Sequence, residues 1–244
     1  MTVIRRNLHV WARALLDLFY PPHCVVCERS GSWLCNDCLA GIVPLPTPRC
    51  PHCGRPVPVP RLCSECRVQP SFLMGIRSAG YYATPLREAI HALKYQGVRV
   101  LAEPLGELLM AAWRQDPLPV STIVPVPLHR SRLRYRGYNQ AALLARAFGR
   151  RASLPIVADC LVRSRATRSQ VGLNAAERRT NVQAAFACTS DALRGERVLL
   201  VDDVFTTGAT LEACAEALLE GGAVGVWAFT LARALDSMLE DQTQ

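Results

Sequence analysis

The sequence predicts an α/β protein with a mainly parallel sheet flanked by helices, preceded by a small cysteine-rich module. Three observations predict it. From Ser71 onward, apolar runs of strand length alternate with amphipathic stretches of helix length, the pattern of a parallel sheet with crossover helices. Val198-Leu199-Leu200-Val201 is a continuous apolar run, as expected of a strand buried on both faces, and a Thr/Gly turn and a helical stretch follow it. Eight of the eleven cysteines form four CxxC pairs between Cys24 and Cys66, ahead of the alternating region.

The elements are justified in chain order. In residues 1–20, Ile4, Leu8, Trp11, Leu15 and Leu18 recur at helical spacing and predict an amphipathic helix. Arg13 and Asp17 break its apolar stretch along the sequence and no small-residue cleavage site follows, so a secretory signal is not expected. Packing against the protein's own body is the expected role. Membrane attachment is the alternative, with Arg5, Arg6 and Arg13 as its only cationic support. No run approaches the ~20 apolar residues that span a bilayer.

Residues 21–70 form the cysteine module. In a CxxC pair two thiolates reach one ion from a single knuckle, and two knuckles complete a tetrahedral four-cysteine zinc site. Seven residues separate Cys27 from Cys35, and nine separate Cys53 from Cys63. Sequential pairing therefore groups Cys24, Cys27, Cys35 and Cys38, then Cys50, Cys53, Cys63 and Cys66; interleaved pairing stays open. Zn2+ would be structural, up to two ions, and supply much of the folding free energy of this Pro-rich stretch. Disulfides and redox CxxC chemistry fit less well, because secreted disulfide scaffolds are small and redox pairs come singly. A reducing, cytoplasmic setting follows. His23 and His52 neighbour quartets already complete in sulfur, and Cys160, Cys188 and Cys214 read as small apolar residues.

Residues 71–244 form the second domain. Phe72–Tyr82 reads as one strand or a strand pair. Pro85–Lys94 reads as a helix with Thr84 as N-cap and Pro85 in its first position. A helix over Leu101–Trp113, a strand over Thr122–Pro127 and a helix over Asn139–Arg151 follow. Ile156–Val162 is expected as a strand, 164–181 as loop with a short helix, and a short strand near Phe186. Val198–Val201, a helix over Leu211–Gly221 and a last strand over Val224–Leu231 complete the order.

Charge adds a functional constraint. The chain carries a net +8, and twelve arginines face only Asp159 and Glu177 between residues 129 and 179. Such a region attracts polyanions, and pyrophosphate and nucleic acid both qualify. The 28 basic residues include a single lysine, Lys94, whose compact ammonium differs from a guanidinium fork. The alternating arginines of 129–136 read as a loop beyond a strand end, suited to bidentate phosphoryl contacts. Tyr135 and Tyr138 keep single-stranded nucleic acid open as a ligand, through stacking.

The site is expected after the 198–201 strand, where open α/β sheets bind ligands. Thr206, Thr207, Gly208, Ala209 and Thr210 form a turn of small residues at a helix N-terminus, a natural phosphate cradle. Asp202 and Asp203 beside it call for hydroxyls or a divalent cation on the same ligand, hence a sugar phosphate.

Val198–Thr210 resembles the phosphoribosyl-pyrophosphate (PRPP) motif of type I phosphoribosyltransferases. The four CxxC pairs, Leu93-Lys94-Tyr95, Arg136-Gly137-Tyr138-Asn139-Gln140 and that motif together resemble the ComF family, competence protein F-like proteins with a double zinc ribbon and a phosphoribosyltransferase-like domain. Gln170, Leu173, Arg178, Asn181 and Phe186 also fall at family-like spacing, while Tyr138 stands where phenylalanine is also common. The resemblance implies that PRPP binds with Mg2+, its ribose on Asp202 and Asp203 and its 5′-phosphate on Thr206 to Thr210. Pyrophosphate would lie near Arg136 and Lys94, and the 163–179 segment, with Gln170 and Arg178, would close over the site. It further implies a role in DNA uptake with the competence machinery. Whether phosphoribosyl passes to an acceptor, or the pocket serves as a sensor in a non-catalytic single-stranded DNA-binding or adaptor protein, stays open at this level.

Overall fold

The computed structural model describes residues 21–163 and 185–234. The predicted N-terminal helix and the residues Gln170, Leu173, Arg178 and Asn181 lie outside them.

Four strands make one parallel sheet: β1 (Gly75–Tyr81), β2 (Thr122–Pro125), β5 (Arg197–Phe205) and β6 (Gly225–Arg233), in the order β1-β6-β5-β2. The central strand β5 alternates between two apolar layers. Leu199 and Val201 join the cluster with Leu93, Leu105, Phe148 and Phe229; Val198 and Leu200 join the one with Leu211, Cys214, Leu218 and Phe186. Burial on both faces is why β5 reads as a solid apolar run. A short antiparallel pair, β3 (Leu161–Arg163) and β4 (Phe186–Cys188), packs on α7 (Ala209–Glu220).

Helices α3 (Leu86–Tyr95), α4 (Ala102–Gln115) and α6 (Gln140–Ala152) carry apolar stripes into the first layer. Gly106 lets α4 approach α6 closely, since a Cβ there would meet the Ala147 Cβ at 2.6 Å.

Several boundaries differ from the sequence reading, each for a local reason. Pro85, not Thr84, is the residue preceding α3; the Thr84 hydroxyl instead donates to Glu88 Oε1 at 2.9 Å. Residues 156–162 are not one strand. Ile156 makes a lone bridge to Ile123, and β3 starts only at Leu161. Residues 130–136 are not a loop but a helix, α5 (Arg130–Arg136). His129 caps it, its Nδ1 accepting from Ser131 N–H at 3.2 Å, and Gly137 ends it at φ +77°.

The cysteine module is two copies of one design. In each, the third cysteine precedes a short helix, α1 (Asn36–Ala40) or α2 (Ser64–Val68), and its backbone N–H points at the first cysteine's sulfur. The module lies along the β1 edge. Tyr81 N–H donates to Val43 O at 3.0 Å and Ile76 N–H to His52 O at 2.6 Å, so the module covers backbone groups that an open edge would expose.

Candidate functional site

Each cysteine quartet brings its four Sγ atoms within 4.8 Å of one another, in the sequential grouping. Within the quartets, the Cys27–Cys35 and Cys53–Cys63 sulfurs stand at 3.6 and 3.7 Å. Tetrahedral zinc with Zn–S bonds of about 2.3 Å separates its sulfurs by about 3.8 Å, so the quartets fit the ion. Burial alone raises the Cys24 and Cys50 thiols, but backbone N–H donors, led by Cys35 and Cys63 respectively, outweigh it and bring both down to about 6. That favours one thiolate in each quartet, while burial and then hydrogen bonds with the neighbouring cysteines push the Cys38 and Cys66 thiols up before any metal binds. His52 is no ligand substitute: its Nδ1 stands 3.5 Å from Cys66 Sγ and its Nε2 is 2.8 Å from Leu73 O. His23 is exposed.

The second site is a cleft of about 190 Å³ at the carboxyl ends of β2 and β5. Strand β5 runs on through Asp202 and Asp203 to Phe205, so both acids sit inside its last turns of pleat rather than beyond its end. Alternation sends them to opposite faces. Asp203 shares the side of Leu199 and Val201, and there Lys94, from the last turn of α3, places Nζ 2.6 Å from Asp203 Oδ1. Burial disfavours the Lys94 ammonium, yet Asp203 and then Asp202 hold its pKa above the ordinary value. Asp203 Oδ2 is buried and has no hydrogen-bond partner among the described residues.

Asp202 lies on the other side. Its Oδ1 accepts the Asp203 backbone N–H at 2.8 Å. Burial, then the neighbouring Asp203 charge, pushes its carboxyl up to about 7, against the pull of Lys94 and Arg163.

Thr206 to Gly208 link β5 to α7. Gly208 is required by conformation and by space: φ is +78°, and a Cβ would fall 2.9 Å from Phe205 Cε2. Because Gly208 is the N-cap, no side chain caps α7, and Ala209, Thr210 and Leu211 of its first turn line the same cleft.

The opposite wall comes from α5 and α6. On a helix, Arg132 and Arg136 are one turn apart and both line the cleft, while Arg130 and Arg134 are exposed. Arg136 Nη1 donates to the buried Gln140 Oε1, and its guanidinium stands 5.2 Å from the Tyr95 ring centroid. Asn139 fixes this wall to β2: its Nδ2 donates to Val126 O at 2.9 Å while its Oδ1 caps α6. The two tyrosines separate. Tyr135 is 92% exposed, whereas Tyr138 is buried, donates its hydroxyl to Leu93 O and carries Arg99 at 4.5 Å, so it offers no stacking face.

Sequence reasoning offered Arg132 only as one of the alternating arginines of 129–136 and Arg163 only as the start of a closing segment, and gave Gln140 no role in the cleft that all three line. Arg163, expected at the start of a closing segment, is buried on β3 with its guanidinium 5.2 Å from the Phe186 ring. Reading 130–136 as a helix would have found Arg132 from its i, i+4 relation to Arg136.

Comparison with known proteins agrees with this architecture. A family model for the double zinc ribbon domain matches residues 15–67, and one for the phosphoribosyl transferase domain matches residues 134–243. Competence protein F of Haemophilus influenzae is 33% identical over 229 residues, 88% of this chain and 99% of that protein. The chain belongs to the ComF family. DNA utilization protein YhgH of Escherichia coli is 33% identical over 228 residues, 89% of this chain and all of that protein. Among solved structures, glutamine PRPP amidotransferase from B. subtilis, complexed with ADP and GMP, is 22% identical with a TM-score of 0.34, covering 53% of this ComF-family chain and 25% of that one. From the two family matches, the chain joins a double zinc ribbon to a phosphoribosyl transferase domain, and the two four-cysteine clusters fall within the ribbon match. Among the described residues no helix is long and apolar enough to cross a membrane.

Proposed function

We propose that this ComF-family protein binds PRPP with Mg2+ in the cleft between β5, α7 and α5. The observation that carries the reading is Asp203: a carboxylate oxygen buried without a partner among the described residues, beside an uncapped helix start that only glycine can form. A buried acceptor of that kind calls for a donor or a cation. Asp202 and Asp203 accept from the ribose hydroxyls, and the N–H groups and hydroxyls of 206–210 donate to the 5′-phosphate. Arg136, Arg132 and Lys94 neutralise the pyrophosphate. Carboxylates and phosphate oxygens are the hard donors Mg2+ takes, and the ion, when bound, lowers the charge of the leaving pyrophosphate. A nucleophile attacking C1 then releases pyrophosphate, and the protein contributes placement and charge neutralisation. Such a chain works in a reducing cytoplasm, in the uptake or use of DNA that the relatives' names indicate.

Pyrophosphate release from PRPP, screened over amines, bases and nucleosides as acceptors, tests turnover. Release that needs one acceptor class and vanishes in Asp202→Asn/Asp203→Asn supports an enzyme; PRPP binding without release under any acceptor assigns a sensor.

One observation favours a second reading. Tyr135 stands almost fully exposed on a helix with exposed Arg130 and Arg134. That surface suits single-stranded DNA, by stacking and phosphate contact. Loss of binding on Tyr135→Ala, with a steep salt dependence, would support it.

A further inference from the structure

Two independent sets of contacts join the second cysteine quartet to the 206–210 loop. The first passes through the interior. Arg233, at the end of β6, is 5% exposed, and its Nη1 donates to Cys53 O at 2.8 Å. Its guanidinium stands 4.6 Å from the Phe205 ring centroid. That ring in turn packs on Gly208, leaving no room for a Cβ.

The second set runs over the surface. Ser71 Oγ donates to Glu212 Oε1 at 2.6 Å, and Phe72 N–H donates to Glu212 Oε2 at 2.9 Å. Glu212 is in the first turn of α7, so the chain leaving Cys66 is tied to the helix that begins the loop's N–H array. Between the two ties lies a cavity of about 90 Å³ walled by Cys53, Cys66, Ser71, Phe205, Thr207 and Gly208. The first quartet is placed differently: Cys24 and Cys35 belong to the apolar layer of α3 and α4.

The physical consequence concerns a buried cation. Arg233 is satisfied in part by the carbonyl of a residue whose sulfur is a zinc ligand. If that knuckle opens, a guanidinium donor loses its acceptor inside the protein, which buried charge does not tolerate without rearrangement. Its other neighbour is the ring on which Gly208 rests at φ +78°, so the rearrangement reaches the loop.

We propose that Arg233 is a positioning residue through which the second four-cysteine cluster sets the geometry of the 206–210 loop, so that metal retention in that cluster and phosphate binding at the loop are thermodynamically linked. The linkage half of this rests on the PRPP reading above; the positioning half does not. Linkage is reciprocal in affinity: a ligand that favours the ordered loop tightens metal binding by the same factor, and slower metal release is how that tightening is read.

The test uses the full-length, zinc-loaded protein as wild type, Arg233→Met and Arg87→Met, the last a control for removing an exposed arginine. Amide hydrogen exchange at 206–210 is measured without ligand. Zinc release to a chromogenic chelator is measured with and without PRPP and Mg2+. Loop exchange should rise about tenfold in Arg233→Met and stay at the wild-type rate in Arg87→Met. PRPP should slow release of one of the two zinc ions by at least about 5-fold in wild type, the lower end of ordinary coupling, and not in Arg233→Met. Unchanged loop exchange in Arg233→Met overturns the proposal, as does PRPP that binds without slowing either ion. If wild type takes up no PRPP, the functional reading fails, and loop exchange alone decides the positioning role. If Arg233→Met does not fold, Arg233→Lys keeps the buried charge but loses the planar fork that meets both Cys53 O and the Phe205 ring, and unchanged loop exchange there overturns the proposal equally.

Discussion

Lys94 Nζ lies 2.6 Å from Asp203 Oδ1 at the mouth of the cleft, joining the last turn of α3 to the end of the central strand. The chain's single lysine thus neutralises a carboxylate that is otherwise buried in the sheet. Asp203 is held in place before any ligand arrives, with one oxygen committed and the other left for a donor.

Replacing Lys94 with Met removes one partner of a buried pair. Truncation of such pairs costs about 3–5 kcal/mol when both groups are fully buried; Lys94 retains 19% exposure, so the loss should fall below that range. Chemical denaturation at neutral pH measures it. Because the folded pKa of Lys94 is raised, the pair's contribution is complete below about 10.5 and disappears as pH climbs through the folded value. Wild type and Lys94→Met should therefore converge in stability only in strong alkali.

Asp202 gives a slope at lower pH. Its carboxyl ionises at about 7 in the folded protein against 3.8 ordinarily. The folded state binds the extra proton between those values, so ligand-free stability should decline as pH rises from about 4 to about 7 and level off above. Thermal melts across that range should show a flatter profile in Asp202→Asn and a higher melting temperature than wild type at pH 8.

Gly208→Ala faces both a positive φ and a 2.9 Å approach to the Phe205 ring. The left-handed conformation alone costs about 1–2 kcal/mol in a residue with a Cβ. The variant should melt earlier, keep both zinc ions by elemental analysis, and lose PRPP binding in calorimetry.

Zinc removal tests the ribbons. Wild type should carry two zinc ions per chain. Stripping them with a strong chelator should lower the melting temperature, because the module contributes Cys24, Leu34, Cys35 and Ile42 to the main apolar cluster.

Tyr135 on the basic helix and Tyr138 just beyond it should behave oppositely. Tyr138→Phe loses a buried hydrogen bond to Leu93 O, worth about 1 kcal/mol, and should leave DNA affinity unchanged in a filter-binding or anisotropy assay. Tyr135→Ala should leave stability unchanged and weaken any single-stranded DNA binding.

Much of this was legible because the signals were local. The cysteine grouping follows from spacing, and β5 announces itself by its buried apolar run. The 206–210 turn follows from small residues between a strand and a helix. What escaped depended on long-range partners. Arg163 and Arg233 look like ordinary basic residues until Phe186, Phe205 and Cys53 O are brought to them. Residues 130–136 read as a loop because alternating arginines carry no apolar stripe; His129 and Gly137 close the helix instead. Tyr138 read as a stacking residue because sequence does not distinguish an exposed ring from one held under Arg99.

Binding of PRPP in the cleft around Asp203 is decided by calorimetric titration of PRPP with Mg2+ into wild type and Asp202→Asn/Asp203→Asn. Wild type should show saturable one-to-one binding that needs Mg2+, and the double variant should lose it with zinc content unchanged. Equal affinity in the two proteins, or no saturable binding to wild type, would contradict the assignment.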